Sequence, residues 1–386
     1  MTSLFDTSYS KSRFQGLDIL RALAIILVFM SHYSFITDLN PFWIFNEFGG
    51  MGVDLFFVLS GYLIGNQIFG PVSKNECFSF KNFYIRRFLR TLPSYYFIIV
   101  IYFLIPQIHE KPLTVPFWKF ITFTMNYGLH GSGFSHAWSL CVEEHFYLFS
   151  PILIIIFLKK LNVKFFFYVI ISFLLISIIS RITEFSHFVQ NSGKNEVKNY
   201  IQYIYYPTHT RLDSLTLGIL SSFLKNYYKN IWHKLTQFKY SNLYLIFGFA
   251  GLFICYKIFQ IDSFRKFNVT FGNTLVAISC FSLLLSALSP HSLLYKVNIP
   301  GATKMATWSY AIYLSHKIFI YLTFKFFSAY YKSYNDSILC VSSSIVISIF
   351  GGWLLYTIVE LPFLNLRDSL TKKKIPLIQN NLGEPS

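Results

Sequence analysis

Long runs of apolar residues recur along this chain, and they constrain its fold more than any other feature. A helix needs about 20 mostly apolar residues to cross the roughly 30 Å hydrocarbon core of a bilayer. Ten such runs lie near residues 17–37, 50–70, 92–107, 138–158, 165–181, 205–224, 243–259, 270–289, 307–327 and 338–360. They predict an all-α integral membrane protein with about ten transmembrane helices.

A further apolar run, at residues 117–127, is too short to span comfortably and ends in the turn-rich sequence GLHGSG. We expect a re-entrant or interfacial segment there; if it spanned the membrane instead, every later loop would change sides. The first run is too long for the apolar part of a signal peptide and is interpreted as a retained helix. We therefore expect one transmembrane domain over residues 1–370 and a cytoplasmic tail over residues 371–386.

The composition agrees with a membrane protein, because 54% of the residues are hydrophobic and only 13% are charged. The formal net charge of +16 could indicate a nucleic-acid partner. In membrane proteins, however, basic residues concentrate in cytoplasmic loops and meet anionic lipid headgroups there. With a cytoplasmic N-terminus, lysine and arginine favour the inner loops about two to one. We expect both termini in the cytoplasm, contact with membrane lipids and no nucleic-acid partner.

The five cysteines are spread along the chain and form no CxxC pair. They indicate neither a disulfide framework nor a zinc site. We expect them to fill apolar space, and we expect no bound metal.

Two ionisable residues interrupt the first apolar run, RALAIILVFMSH, at Arg21 and His32. Eleven helical steps place them about 16 Å apart and only about 20° around the helix axis, so they share one face. Arg21 lies near the cytoplasmic boundary, where its side chain can reach water. His32 lies in the outer third of the membrane, where a histidine is either a functional group or a structural residue bonded to a neighbouring helix. The spacing alone favours neither.

Acidic residues occur in two further runs. In GGMGVDLFFVLSGYLIG, Asp54 could fix the tautomer of a histidine, or it could mark the N-terminal end of a helix, where negative charge is favourable. In HAWSLCVEEHFYLFSP, Glu143 and Glu144 begin a helix, and Tyr147 follows Glu143 by one turn. Either glutamate could act in acid–base or positioning chemistry. Alternatively, the pair marks the interfacial start of the helix, with Glu144 facing water.

Two later segments carry opposite or adjacent charges. THTRLDSLTLG places Arg211 and Asp213 at an outer helix entrance, where they could pair or touch substrate. SYAIYLSHKIF buries His316 beside Lys317. For both segments, structural pairing is the simpler interpretation.

Arginines collect toward the cytoplasmic side, in FYIRRFLRTLP. Arg86 and Arg90 are one helical turn apart, so their guanidinium groups can converge on one phosphate, with Arg87 beside them. The alternative is an anchor that binds lipid headgroups. The sequence therefore predicts chemistry near the outer face and anion binding near the inner face.

Seven segments of the chain, distributed between residues 14 and 363, resemble those of acyltransferase family three: FQGLDILRALAIILVFMSHY, GGMGVDLFFVLSGYLIG, FYIRRFLRTLP, HAWSLCVEEHFYL, TRLDSLTLG, SYAIYLSHKIF and VELPF. Members are bacterial membrane enzymes that O-acylate lipopolysaccharide O-antigen and other envelope glycans. The resemblance implies an inner-membrane transferase that moves an acyl group, usually acetyl, from cytoplasmic acyl-CoA to a sugar hydroxyl on the periplasmic side. The chain lacks the C-terminal SGNH-type domain of longer members, so we expect a stand-alone member.

The resemblance also implies roles for individual residues. Arg21 and His32 match the family's R-x10-H element, the arginines of FYIRRFLRTLP match its RRxxR element, and Glu143 matches the first glutamate after WSL. We expect a catalytic group of His32, Glu143 and Asp54. We expect acyl-CoA to bind Arg21, Arg86, Arg87 and Arg90. We expect the acceptor, an envelope or lipid-linked glycan, to contact Trp138, Tyr147, Arg211 and Asp213.

General base catalysis is the mechanism that these residues predict. A sugar hydroxyl is a poor nucleophile near neutral pH, so we expect His32 to deprotonate it, with Glu143 or Asp54 orienting the imidazole. In a competing path His32 first carries the acyl group itself. Alternative functions are acylation of a small molecule or a protein, and transport or flipping of a polar lipid, which also uses intramembrane charges.

Overall fold

The computed structural model describes residues 14–38, 48–160, 163–262, 265–328 and 334–371, and every regular element among them is helical. The α-helices are α1 Gln15–Thr37, α2 Phe48–Val72, α3 Phe80–Leu104, α4 Phe117–Ile121, α5 Trp138–Lys160, α6 Phe166–Glu184, α7 Glu196–Asn199, α8 Asp213–Tyr227, α9 Lys229–Thr236, α10 Asn242–Asp262, α11 Lys266–Leu288, α12 Leu293–Lys296, α13 Ala302–Ser328, α14 Tyr334–Leu355 and α15 Leu361–Thr371. Wider π-helical turns occur at Phe185–Val189, Tyr200–Tyr205 and Tyr356–Glu360. The predicted all-α class is confirmed, and of the predicted tail all but Thr371 lies outside the described residues.

Seven helical segments of the described chain are long and apolar enough to cross a membrane: Gln15–Thr37, Phe48–Val72, Ser135–Leu158, Val163–Val189, Asn242–Gln260, Lys266–Leu288 and Ile338–Thr371. The predicted number of ten is not confirmed by this criterion. The three other predicted crossings fall in α3, α13 and the region of α8. Helices α3 and α13 have 25 and 27 residues but carry charged side chains. Helix α8 has only 15 residues, because irregular turns precede it.

The short apolar run at 117–127 forms no spanning helix. Only Phe117–Ile121 is α-helical, and turns follow. Phe120 and Met125 are fully buried in the main core, and the Tyr95 hydroxyl of α3 donates to the Phe120 carbonyl at 2.9 Å. The segment therefore packs into the helix bundle, and its position relative to the bilayer remains a prediction.

Helix α2 lies at the centre of the bundle and packs against α1, α5, α8 and α11. Where it crosses α8, a Cβ on Gly61 would lie 2.2 Å from the Leu215 carbonyl oxygen, and a Cβ on Gly218 would lie 2.2 Å from the Val58 carbonyl oxygen. Only glycine permits such an approach. The close crossing brings Asp54 of α2 beside the first turn of α8.

The outer helices present large apolar side chains to their surroundings. Ile171, Leu175 and Ile179 of α6 are about half exposed, as are Ile246 and Phe253 of α10. Soluble proteins rarely expose such extensive apolar surface, whereas lipid hydrocarbon is its natural environment. Many of the charged side chains discussed below are instead buried between the helices.

Candidate active site

Three histidines from different helices meet at one end of the bundle, which we call the histidine end. His32 lies in the last third of α1, His136 directly precedes α5, and His316 lies in α13. Nδ1 of His32 is 2.7 Å from Nε2 of His316. The His136 ring lies 5.9 Å from the His32 ring and 5.4 Å from the His316 ring. His136 and His316 are buried, whereas His32 is partly exposed.

Hydrogen bonds made by His316 define the tautomer of His32. Nδ1 of His316 lies 3.0 and 2.8 Å from the carbonyl oxygens of Ile312 and Tyr313. Because carbonyl oxygens only accept, this nitrogen carries a proton. A second positive charge beside the buried Lys317 would be unfavourable, so His316 is neutral and its Nε2 accepts. His32 then donates from Nδ1, which leaves a free lone pair on its Nε2.

A buried ion pair lies beside the three histidines. Nζ of Lys317 is 2.9 Å from Oε1 of Glu110, and both side chains are 2% exposed. Glu110 also accepts hydrogen bonds from the Tyr102 hydroxyl and from the Phe134 backbone NH. Burial alone would raise the pKa of Glu110, but Lys317 and Tyr102 together hold that pKa below its usual range. The loop after α3 is therefore fixed to α13, next to His316.

Asp54 does not orient His32 in the way that the sequence predicts. Its carboxylate binds Arg211 at 2.9 Å and accepts a hydrogen bond from the Ser214 hydroxyl at 2.8 Å. His316 takes the position next to His32 instead. A buried carboxylate is better compensated by an arginine and a hydroxyl than by a neutral imidazole, which accounts for the difference.

Arg211 and Asp213, predicted to pair or to touch substrate, bind separate partners. The Arg211 guanidinium lies over the rings of Trp138 and Tyr205, at 5.4 and 5.0 Å from their centroids. Asp213 binds Arg181 at 2.6 Å, and both side chains are buried. The partner of Asp213 is a residue that the sequence reasoning missed, although an isolated arginine at the end of an apolar run was a usable signal.

A cleft with about 740 Å³ of empty space, part of it open to solvent, lies further along the bundle, and its lining includes Arg21 of α1 with Arg87 and Arg90 of α3. We call this cleft the arginine pocket. Arg87 is buried, and its Nε atom has no hydrogen-bond partner among the described residues. Three guanidinium groups around one cavity form a site for a multiply charged anion.

Arg86 does not belong to this pocket, contrary to the predicted convergence of Arg86 with Arg90. The Arg86 side chain is exposed. The buried face of α3 carries Phe83, Arg87 and Thr91 at intervals of four residues, and Arg86 points about 100° away from it. Arg90 follows Arg87 by three positions and faces the same cavity. The convergent pair is therefore Arg87 with Arg90.

Glu143 lies in the wall of the arginine pocket and is not hydrogen bonded to His32. The Ser60 hydroxyl donates to its Oε1 at 2.7 Å, and the Tyr147 hydroxyl donates to its Oε2 at 3.0 Å. The Arg87 guanidinium lies 5.4 Å from the centroid of the Tyr147 ring. Glu143 can thus orient a ligand bound by the arginines, and the predicted support of His32 comes from His316 instead.

Two more carboxylates are buried near the same pocket. Glu144 is 9% exposed, so the alternative in which it faces water is wrong. Glu360 lies within electrostatic range of Arg90 and Arg21, and its Oε2 has no hydrogen-bond partner among the described residues. The acidic groups offset part of the positive charge that the arginines bring into the bundle.

One tyrosine joins the arginine pocket to the histidine end. Tyr313 lines the pocket, and its hydroxyl donates to the His136 carbonyl at 2.8 Å, with the Ser139 hydroxyl 2.5 Å away. Its ring centroid is 5.9 Å from that of His316. A ligand that fills the pocket would therefore end one tyrosine ring away from the histidines.

His136, Glu110 and Ser60 are further residues of the site that the sequence reasoning missed. His136 begins the HAWSL segment, where an ionisable residue at the start of an apolar run was a usable signal. A loop glutamate and a helical serine give no such signal. Among the residues that the structure describes, no group of three His, Cys, Asp or Glu side chains is arranged to hold a metal ion.

Comparison with known proteins places the sequence of this chain in a family. Residues 14–357 match the family described as Acyltransferase domain. The chain is 30% identical over 342 residues to the peptidoglycan O-acetyltransferase OatA of Listeria monocytogenes, a match that covers 82% of this chain and 51% of that protein. It is 25% identical over 379 residues to the O-acetyltransferase OatA of Staphylococcus aureus strain NCTC 8325, covering 92% of this chain and 58% of that protein. The chain therefore spans a little over half the length of these relatives, and no solved structure matches it.

Proposed function

Because the chain belongs to acyltransferase family three, we propose that it is a membrane O-acetyltransferase. It transfers an acetyl group from acetyl-CoA, held by the arginine pocket, to a sugar hydroxyl of an envelope glycan at the histidine end. Both relatives are named as O-acetyltransferases, and one is named for peptidoglycan. A peptidoglycan acceptor agrees with the first name, and O-antigen is the alternative acceptor that the family resemblance implies. The observation that carries the proposal is the hydrogen bond from His32 to His316, which leaves a basic nitrogen on His32.

The reaction is a direct acyl transfer with His32 as general base. Nε2 of His32 removes the proton from the sugar hydroxyl while its oxygen attacks the thioester carbonyl carbon. The tetrahedral intermediate then collapses, the C–S bond breaks, and the CoA sulfur takes the proton from His32. The hydrogen bond to His316 stabilises the imidazolium between these steps. Both ring nitrogens of His136 are buried and have no hydrogen-bond partner among the described residues, and we propose that one of them binds a substrate oxygen when the acceptor enters the site.

The arginine pocket suits the donor. The nucleotide portion of acetyl-CoA carries several phosphate charges, and guanidinium groups bind phosphate through charge-assisted, forked hydrogen bonds. The thin pantetheine arm extends past Glu143 and Tyr147 toward Tyr313, all of which line the cavity. The thioester thus approaches the histidines while the phosphates remain with the arginines.

The contacts of the chain ends support the predicted topology. Arg21 near the start of α1 lines the arginine pocket, and α15 at the other described end packs against α3. If both ends lie on the arginine side, the number of crossings is even, and the ten crossings predicted from the sequence satisfy this condition. We place the arginine side in the cytoplasm, where acetyl-CoA is available, and both termini with it in a bacterial inner membrane.

The direct test supplies membranes that contain the protein with labelled acetyl-CoA and either peptidoglycan fragments or O-antigen. Alkali-labile label on the glycan is then measured by mass spectrometry. The intact protein and the control His187→Ala, an exposed histidine, are expected to transfer label, whereas His32→Ala is expected to give background only. Label on neither glycan would contradict the proposed acceptor class, and equal label from His32→Ala would contradict the role of His32.

A further inference from the structure

A second cavity of about 950 Å³ lies between α5, α6 and α8, and it shares no lining residue with the arginine pocket. Its walls are mostly aromatic and aliphatic, and they include Phe149, Leu153, Phe157, Phe166, Ile170 and Phe173. Phe149 is 55% exposed on the outer surface of the bundle. The cavity is therefore a groove that opens sideways toward the hydrocarbon of the bilayer, and we call it the lateral groove.

Most polar groups of the lateral groove are gathered at one end, whereas Ser150 and Thr216 line its apolar part. Tyr127, His145, Thr208 and His209 line this end, and Nδ1 of His145 lies 2.8 Å from the Thr208 hydroxyl. From His145 the groove follows α5 as far as Phe157, twelve residues or about 18 Å. A long, narrow apolar groove with one polar end matches a ligand that has a single hydrocarbon chain and a polar head.

The polar end offers groups that bind an anionic head. Nζ of Lys119 donates to the Tyr127 carbonyl at 2.9 Å and brings a positive charge to the rim. The Tyr127 ring is stacked on the His209 ring, with a 10° angle between their planes. Lys119 provides a positive charge and the imidazoles of His145 and His209 provide ring nitrogens for a phosphate. The Glu184 carboxylate lies 3.5 Å from Nε2 of His209, so Lys119 is the main source of positive charge at the rim.

The rim is also connected to the histidine end. Nδ2 of Asn126 donates to the Thr208 hydroxyl at 3.0 Å and to the Tyr206 carbonyl at 3.2 Å. The Tyr206 ring lies 5.5 Å from the ring of Trp138, and His136 is two residues before this tryptophan. A head group bound at the rim is therefore next to the wall of the site that contains His136 and His32.

We propose that the lateral groove binds the hydrocarbon chain of a lipid-linked glycan acceptor. The phosphate of this lipid lies against Lys119, His145 and His209, and its sugar reaches from the rim to the histidine end. The inference rests on the proposed function, since it specifies how the acceptor is held. It predicts a preference for a glycan on a long isoprenoid phosphate over the same glycan without lipid.

The test fills the groove without touching the histidines or arginines. Leu153→Trp adds bulk inside the groove, whereas Ile152→Trp adds the same side chain at the neighbouring position, which is 41% exposed and does not line the groove. Acetyl transfer is measured on one glycan in two forms, linked to a long isoprenoid phosphate and lipid-free. Leu153→Trp is expected to lower kcat/KM about tenfold for the lipid-linked form only, and Ile152→Trp is expected to change neither.

The outcomes separate this inference from the proposed function. If the intact protein acetylates neither form, the glycan acetyltransferase proposal fails. If it acetylates them equally well, or if Leu153→Trp retains full activity on the lipid-linked form, the groove proposal is overturned. Should Leu153→Trp not fold, cross-linking of the intact protein with an isoprenoid phosphate that carries a diazirine on its chain replaces it. Label on α5 and α6 residues of the groove supports the proposal, and label elsewhere overturns it.

Discussion

His32 is held by a side chain 284 positions away in the sequence. The bond from His32 to His316 is useful because a general base needs one nitrogen free and the other fixed. His316 is itself fixed by the backbone carbonyls of α13. We therefore propose that it acts as a positioning residue that does not touch the substrate.

Loss of His316 is expected to affect turnover and leave binding largely intact. His316→Ala removes the acceptor for Nδ1 of His32, so we expect kcat to fall about 100-fold. The KM for acetyl-CoA should remain within about twofold, because the arginine pocket is unchanged. His316→Gln, whose amide oxygen can accept from His32, should restore part of kcat. Steady-state kinetics with both variants measure this, and a raised KM with unchanged kcat would contradict it.

The arginines give a matched pair of variants on one helix. Arg87 lines the pocket, whereas the neighbouring Arg86 is exposed. Loss of one or two charge-assisted hydrogen bonds costs about 1.5–3 kcal/mol, or roughly 10- to 100-fold in affinity. We expect Arg87→Ala to weaken CoA binding by this factor and Arg86→Ala to leave it nearly unchanged. Isothermal titration of CoA into purified protein measures both, and equal losses would contradict the structural assignment.

The residues of the site were only partly predictable. Helical periodicity alone places Arg21 and His32 on one face of α1, because that argument is local. The partners of His32 and Glu143 are His316 and Ser60, and both bonds depend on how separate helices pack. A single sequence carries no information about such packing. Glu143 and Asp54 were therefore predicted to support His32, whereas their partners in the structure are Ser60 and Arg211.

At the scale of elements, the crossing of α2 and α8 positions the polar residues between them. Gly61→Ala would place a methyl group 2.2 Å from the Leu215 carbonyl oxygen, whereas Gly70, also on α2, has open space around it. We expect Gly61→Ala to destabilise the protein by about 1–3 kcal/mol and Gly70→Ala to be neutral or slightly stabilising. Thermal unfolding in detergent compares the two variants. Equal melting temperatures would show that the helices can separate at little cost.

The loop between α3 and α5 is fixed to α13 through Glu110 and Lys317. Since the folded pKa of Glu110 is below its usual value of 4.5, this pair stabilises the fold above about pH 4.5 and is lost as pH falls through the folded pKa. Glu110→Gln leaves Lys317 buried and unpaired, at a cost of about 3–5 kcal/mol. We expect this variant to melt lower at pH 7 and to lose less stability on acidification. The exposed control Glu76→Gln should behave as the intact protein does.

The predicted helices agree with the observed ones where a long apolar run determines the helix, and they differ where polar groups interrupt the run. Helices α1, α2, α5, α6, α10 and α11 match the predicted apolar runs within a few residues. The region before α8 differs, because π and 3-10 turns replace the first half of the predicted helix. Hydropathy sums the residues of a window and cannot detect such a change in backbone hydrogen bonding.

At the scale of the whole molecule, we propose that donor binding and chemistry take place at opposite ends of one helix bundle. The arginine pocket contains the positive charge that we propose binds CoA, and the histidine end contains the proposed base, His32. Tyr313 lies between them. In the proposed mechanism, this separation lets the acetyl group cross while CoA remains on the cytoplasmic side of the membrane.

The measurement that tests this division most directly compares CoA affinity and acetyl transfer in His32→Ala and Arg87→Ala, purified in the same detergent. We expect His32→Ala to bind CoA as the intact protein does and to transfer no acetyl group. Arg87→Ala should bind CoA about 10- to 100-fold more weakly and regain transfer at high acetyl-CoA concentration. Loss of CoA binding in His32→Ala equal to that in Arg87→Ala would contradict the separation of donor binding from chemistry.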